Sequence, residues 1–320
     1  MVPKDLSMLE QEIIQREFYQ KKSILKKIRD NKYWGVFLSG FIFNQAVLVP
    51  VIAALVGLIA FTSMDYSMKW DFIGLKNFQK IFHDPKVIKV FWNTVMFVCM
   101  TLTIKMLLGL FVALTSSYYI KNNRVGTFFR AIWLLPKVSP GVVEALLWTW
   151  IFSPTETGVL NFILNRLYGM EPTAWLQQYP LLINIILAGV MGTAITTIIL
   201  SSAIQNLDVN YFRIAKVDGA SEVRILKSLI LPQLKWPLTF LTLWQGLSLL
   251  TSFESIMLLT DGGPDYRSEV WSLYAFHSAF STLDFGYGSA ISLMMLPVIF
   301  TVVWIAYKAF GFKKLMNGDK

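Results

Sequence analysis

Three ionisable side chains interrupt long apolar stretches of this chain: Lys105, Glu144 and Glu254. A charge at bilayer depth costs ~3 kcal/mol on insertion scales, so such groups face a bundle interior, water or a partner. Lys105 and Glu144 fall at similar depths on consecutive stretches, and an ion pair between them is one expectation. Glu254 stands near Ser248, Thr251 and Ser252, a run of hydroxyls that serves either helix packing or a polar cavity. The preceding apolar stretch carries Asn184, Gly189 and Thr193, and Trp244 offers an aromatic face. These residues are candidates for lining a solute pathway, with helix packing as the alternative for each. Other chemistries lack their residues. There is no GxxxxGK[ST] phosphate loop, no HExxH and no GxSxG elbow. His83 and His277 have no ligands at metal spacing, and Cys99, the one cysteine, excludes an internal disulfide. The expectation is a chain that is not an enzyme, with no catalytic residue, metal or bound cofactor of its own.

The elements that would position these residues follow from composition. Of the 320 residues 55% are hydrophobic and only 15% charged, against about 25% charged in an average soluble domain. Six windows, approximately 36–61, 90–115, 128–152, 180–204, 237–260 and 287–310, each reach the roughly 20 residues that cross a bilayer as helix. A backbone in hydrocarbon satisfies its own hydrogen bonds, so these are helices, and the alternating ~10-residue strands of a membrane barrel are missing. The predicted fold is an all-α polytopic membrane protein. It has a leader over 1–34, a membrane domain over 35–312 and a tail over 313–320. The leader spaces Leu6, Leu9, Ile13, Phe18, Ile24 and Ile28 as an amphipathic helix lying on membrane lipid.

The formal charge of +9 does not point to nucleic acid, because of where it sits. Basic residues gather before the first window, between the second and third (Lys121, Arg124), between the fourth and fifth (Arg213, Lys216, Arg224, Lys227), and in the tail. With six spans all of these lie on one side, which the positive-inside rule makes cytoplasmic, so both termini are expected inside.

Residues 205–235 hold a compact charged segment between two spans. Asp208 is placed to cap a short helix through Ala215, and Asp218-Gly219 to make a turn in which glycine adopts φ > 0. Ser221 is placed to cap a second helix ending at Pro232, with Val223, Leu226 and Leu229 on one face. Helices of ~9–11 residues are unstable alone in water and must be held against something, either the membrane domain or a partner.

This segment resembles the EAA loop of ABC-importer permeases. The shared pattern is Ala215, Asp218, Gly219 and Ala220, followed by Leu229-Ile230-Leu231-Pro232, with Arg213 where the family has glutamate. "FESIMLLTDGGP" resembles the Leu-Thr-x-Gly-Gly-Pro run of the carbohydrate branch, as in its maltose-type first permease. "GLKNFQKIF" with "FWNTVMF" resembles that branch's entry to the second span. The resemblance implies a permease in a bacterial inner membrane, with 205–235 as the coupling loop and Arg213, Ala215, Asp218, Gly219, Ala220 and Pro232 as its contact residues. It implies a second, different permease subunit, an ATPase dimer that binds ATP-Mg, and an external solute-binding protein. The expected cargo is a sugar or oligosaccharide. A permease for another solute, or a membrane scaffold recruiting a cytoplasmic partner, would also use such a segment.

Overall fold

A computed structural model describes residues 32–310. The leader helix expected before residue 32 and the tail lie outside the described residues. The chain divides into two units, residues 1–58 and 59–320.

In the first unit the described residues are helical. α1 (Lys32–Phe43) passes through a π-turn at Asn44–Leu48 into α2 (Val49–Ile59). Leu38–Ile59 runs for 22 residues, reaches a mean hydropathy of 2.3 over 18 of them, and is long enough to cross a membrane.

The second unit is a helical bundle built around one long element. α3 (Lys76–His83) leads to Asp84, whose side chain accepts the Lys86 N–H at 2.9 Å, and Pro85 opens α4 (Pro85–Leu114) at the one turn where its missing N–H is harmless. A π-turn at Thr115–Tyr119 prolongs α4. Thirty helical residues reach about 45 Å, so the two ends of α4 lie at opposite ends of the bundle. Asn122 caps α5 (Asn123–Val138), and α6 (Gly141–Ile151) follows at an angle of 96°. The bend has a local cause. Pro140 forces Ser139 into extended backbone at ψ 138° and cannot donate to the ladder. The helix expected over 128–152 is therefore two helices.

After α7 (Val159–Tyr168), α8 (Pro180–Met191) and α9 (Thr193–Gln205) form one apolar run with a pause at Gly192. Next come α10 (Val209–Val217) and α11 (Glu222–Ile225), then a π-turn at Leu226–Ile230, a helical turn at Leu231–Gln233, and α12 (Lys235–Thr251). The helix expected over 237–260 also divides. α12 stops at Thr251, Ser252 is extended, and α13 (Glu254–Leu259) starts afresh. The Ser252 carbonyl, freed from the ladder, accepts the Ser272 hydroxyl at 3.2 Å. α14 (Trp271–Phe276) and α15 (Phe285–Phe310) complete the described residues. Among the described residues four helices are long and apolar enough to cross a membrane, or five if the bent pair α5–α6 is one span.

α4 packs against α8, α9 and α12. Backbones approach closely at small residues, as membrane helices require. A Cβ on Gly189 would lie 2.6 Å from Ile104, and one on Gly109 2.5 Å from Thr196. The buried Gln245 of α12 donates to Thr196 Oγ1 at 2.6 Å, closing the α4–α9–α12 contact with a hydrogen bond.

Candidate functional site: a carboxylate-lined cavity and a charged helical turn

The segment 205–235 is built by its caps. Asp208 accepts the Asn210 N–H at 2.9 Å and starts α10. Gly219 takes φ +71°, the left-handed conformation that ends a helix cheaply only for glycine, and the Ala220 N–H closes back on the Ala215 carbonyl at 2.9 Å. Ser221 accepts the Arg224 N–H at 3.3 Å and starts α11. Phe212, Ala215 and Ala220 pack on a core of Leu200, Ile204, Ile225 and Ile230. The far end of α4 pins the turn from the other side. Tyr118 donates to Glu222 at 2.6 Å and Lys216 pairs with Glu222 at 3.1 Å. The hydrogen bond from Tyr118, then that from Lys216, hold the Glu222 carboxyl below its usual value.

Two expectations are corrected here. Pro232 does not stop the helix. The wide π-turn before it absorbs the missing N–H, and helical backbone resumes into α12. Val223 is exposed rather than packed with Leu226 and Leu229, because the π-turn rotates the face and buries Ile225, Ile230 and Leu234 instead. Arg213, Asp218 and Gly219 are exposed, beside exposed Tyr211, Ile214 and Val217.

The hydroxyl-rich helix residues separate into three groups. Gly189 and Thr193 are structural: the first receives Ile104, and the buried Thr193 donates to the Val190 carbonyl at 2.8 Å. Trp244, Ser248 and Thr251, at helical spacing on α12, lie together on its exposed face. The opposite face, with Leu241, Gln245, Gly246 and Leu249, is buried. Phe240 stacks on Trp244 with centroids 6.4 Å apart. Asn184, Ser252 and Glu254 instead meet in a cavity of about 200 Å³ between α6, α8 and α13.

Two further residues line that cavity, Glu144 and Trp148 of α6. The 96° bend brings them there. Glu144 makes no ion pair with Lys105, so the expected pair is absent. Lys105 lies over Gly192 in the pause between α8 and α9, where a Cβ would collide with its Cε. Trp148 was not singled out by its type or spacing. Its position on the Glu144 face of the same apolar stretch was the available signal.

A loop with its own polar network is tied to the cavity wall at Asn184. Asn184 Nδ2 donates to the Pro180 carbonyl and to Thr260 Oγ1, both at 2.9 Å, and Thr260 Oγ1 meets Ser268 Oγ at 2.9 Å. Gly262, at φ +73°, leaves the space that a Cβ would fill to the buried Glu269 carboxylate. His277 bridges that carboxylate, at 2.9 Å from Nδ1, to Asp261, at 3.1 Å from Nε2. Burial pushes the Glu269 carboxyl above its usual value, and His277 offsets part of the shift. At the same end of the bundle Asp84 accepts hydrogen bonds from Tyr274 at 2.5 Å and Tyr287 at 2.9 Å.

Comparison with known proteins places this architecture. The chain is 31% identical over 238 residues to the trehalose/maltose transport system permease protein MalF of Thermococcus litoralis, covering 73% of this chain and 79% of that one. It is 28% identical over 273 residues to the sulfoquinovosyl glycerol transport system permease protein SmoG of Agrobacterium fabrum, covering 82% and 86%. A chain in the crystal structure of a bacterial ABC transporter involved in import of the acidic polysaccharide alginate shares the fold. The TM-score is 0.76 at 22% identity, over 90% of this chain and 98% of that one. Residues 105–310 match the model of the binding-protein-dependent transport system inner membrane components, and the chain belongs to that family of multi-pass membrane proteins.

Proposed function

We propose that this chain forms half of the translocation pathway of an ABC importer for a sugar or oligosaccharide. One observation carries the reading. α12 is an apolar helix whose exposed face carries Trp244, Ser248 and Thr251, and whose end delivers Ser252 and Glu254 to a polar cavity. Facing lipid, such a surface gains nothing from its hydroxyls; facing a second, different permease subunit, it becomes one wall of an aqueous path. The substrates named for these relatives' transport systems, trehalose/maltose and sulfoquinovosyl glycerol, support a saccharide or glycoside cargo. Six spans then result if α5–α6 counts as the third and α12–α13 as the fifth, with both termini on the cytoplasmic side.

The geometry supplies a route for coupling. Exposed Tyr211, Arg213, Ile214 and Val217 on α10, with Asp218 and Gly219 at the turn, form the surface offered to an ATPase dimer, which binds ATP-Mg. The Thr260–Ser268 loop, at the other end, faces the external solute-binding protein. ATP-driven closure of the ATPase pair moves the turn, and α11 through α12 carries the motion to Ser252.

The test is radiolabelled saccharide uptake by proteoliposomes holding the complete transporter and its binding protein. A Thr251→Ala/Ser252→Ala chain should lose affinity or selectivity while keeping ATPase activity. Unchanged uptake across a panel of sugars would refute the pathway assignment, and absence of any ATP-dependent uptake would refute the importer.

A further inference from the structure

The cavity between α6, α8 and α13 has an uneven charge. Glu144 and Glu254 both line it, and among the described residues neither forms an ion pair. The cation acting on Glu144 through space is Lys137, on the exposed end of α5 before the bend. Lys105 is directed to Gly192 instead. Two carboxylates thus stand against one lysine outside the lining. At bilayer depth little mobile salt screens this imbalance, so the lining favours a cationic guest over an anionic one.

The remaining lining residues fit a saccharide ring. Trp148 presents an indole braced by Phe152, with centroids 5.8 Å apart and planes at 27°. Ser252 and Ser255 offer hydroxyls, while the Asn184 amide N–H groups are already committed to Pro180 and Thr260 and fix the wall. At about 200 Å³ the cavity is smaller than the roughly 300–1,000 Å³ of drug-sized sites, so it suits one ring of a longer cargo.

We propose that this cavity is a saccharide subsite that selects by charge. It admits a ring that is neutral or carries a protonated amine, and excludes one that carries a carboxylate, with Glu144 and Glu254 as the discriminating residues. An ammonium group donates to both carboxylates and neutralises the excess. The hydroxyls of a neutral ring donate to the same oxygens. A uronate brings a third negative charge, and the lining holds no cation to receive it. The proposal rests on the importer reading and names the class of its cargo.

The experiment is equilibrium dialysis of three radiolabelled disaccharide probes against the purified, complete transporter without its binding protein. The probes are a neutral hexose disaccharide, its amino-sugar counterpart and its uronate counterpart. For the native transporter, the amine and neutral probes should bind at least about tenfold more tightly than the uronate, equivalent to about 1.4 kcal/mol. Glu144→Gln and Glu254→Gln, which keep the shape of the side chain, should each shrink the amine-to-uronate ratio about tenfold. The inference is overturned by equal binding of uronate and neutral probes to the native transporter, by no binding of any probe, or by an unchanged ratio in both variants. The native measurement decides even if a variant fails to assemble. If proteoliposomes take up a saccharide with ATP while the ratio is flat, only charge selection fails; if they take up none, the importer reading fails with it.

Discussion

The turn at Gly219 permits a quantitative test of coupling, because its cost is purely backbone. Gly219 sits at φ +71°, and nothing lies within 4 Å of where a Cβ would be. Gly219→Val therefore creates no collision. It adds only the penalty of an L-residue in the left-handed region, about 1–2 kcal/mol, with a β-branched side chain at the upper end. A distortion of that size is a five- to thirtyfold shift against the native turn. The bonds at stake are local, Gly219 N–H to the Lys216 carbonyl at 3.1 Å and Ala220 N–H to the Ala215 carbonyl at 2.9 Å. The membrane bundle does not depend on them, so the variant should insert and assemble normally. Its basal ATPase activity should persist while saccharide taken up per ATP falls several-fold. Gly219→Asn, which tolerates the left-handed region better, should fall between. The assay is parallel ATPase and uptake measurement in proteoliposomes at matched protein content. Uptake per ATP at the native value for Gly219→Val would refute the coupling role of the turn. Equal defects in the Val and Asn variants would refute the backbone argument.

Three other perturbations probe the bundle and the Thr260–Ser268 loop region. Gly262→Ala should lower the thermal midpoint more than Gly219→Ala: both carry a positive φ, but at Gly262 the new methyl group also meets the buried Glu269 carboxylate, and equal losses in a detergent melt would contradict this packing. Thr196→Val removes the acceptor of the buried Gln245 amide and should cost ~1 kcal/mol, most of which a Thr196→Val/Gln245→Leu double variant should recover; additive losses in the same melt would show the hydrogen bond to be incidental. His277→Ala removes the partner whose hydrogen bond and electrostatic contact offset the burial of Glu269, so the Glu269 carboxyl should rise further above its ordinary 4.5. A carboxyl raised in the folded state holds its proton more tightly there than in the unfolded chain, so stability falls as pH rises through that value. The variant should be least stable at neutral pH and close the gap to the native chain as pH is lowered toward ~5, and parallel stability curves would exclude the mechanism.

Hydropathy made the spans legible and hid their breaks. Averages over ~20 residues register that Phe128–Phe152 is apolar, yet the bend there is decided by Pro140 acting on Ser139, two residues among twenty-five. Turn chemistry was better read. Asp208, Gly219 and Ser221 each do locally what their type allows, because capping depends on neighbours rather than on tertiary context. Pro232 is the counter-example. Proline forbids one hydrogen bond, and the chain meets that requirement with a π-turn instead of an end. Of the candidate pathway residues, Asn184, Ser252 and Glu254 converge on the cavity while Gly189 and Thr193 serve packing. Composition cannot separate these roles, since a small or hydroxyl residue on a membrane helix suits both.

The two breaks that the sequence concealed give the fold its mechanical sense on the proposed reading. From Glu222 to Thr251 the backbone is helical apart from one turn at Leu234, a succession of helical segments that begins at the exposed turn and ends beside the cavity. An unbroken helix through residue 260 would move the Thr260–Ser268 loop together with α12. The extended Ser252 separates them. Displacement of α12 acts on Ser252 and Glu254, while the loop stays anchored through Asn93, which donates to the Tyr266 and Glu269 carbonyls, and through Arg267, which reaches the Gln177 and Gln178 carbonyls. The bend at Pro140 likewise sets Glu144 and Trp148 on a short helix of their own. A cavity whose walls belong to separately hinged segments can change shape without unpacking the α4–α8–α9 core, and that core is where close glycine contacts leave no freedom to move.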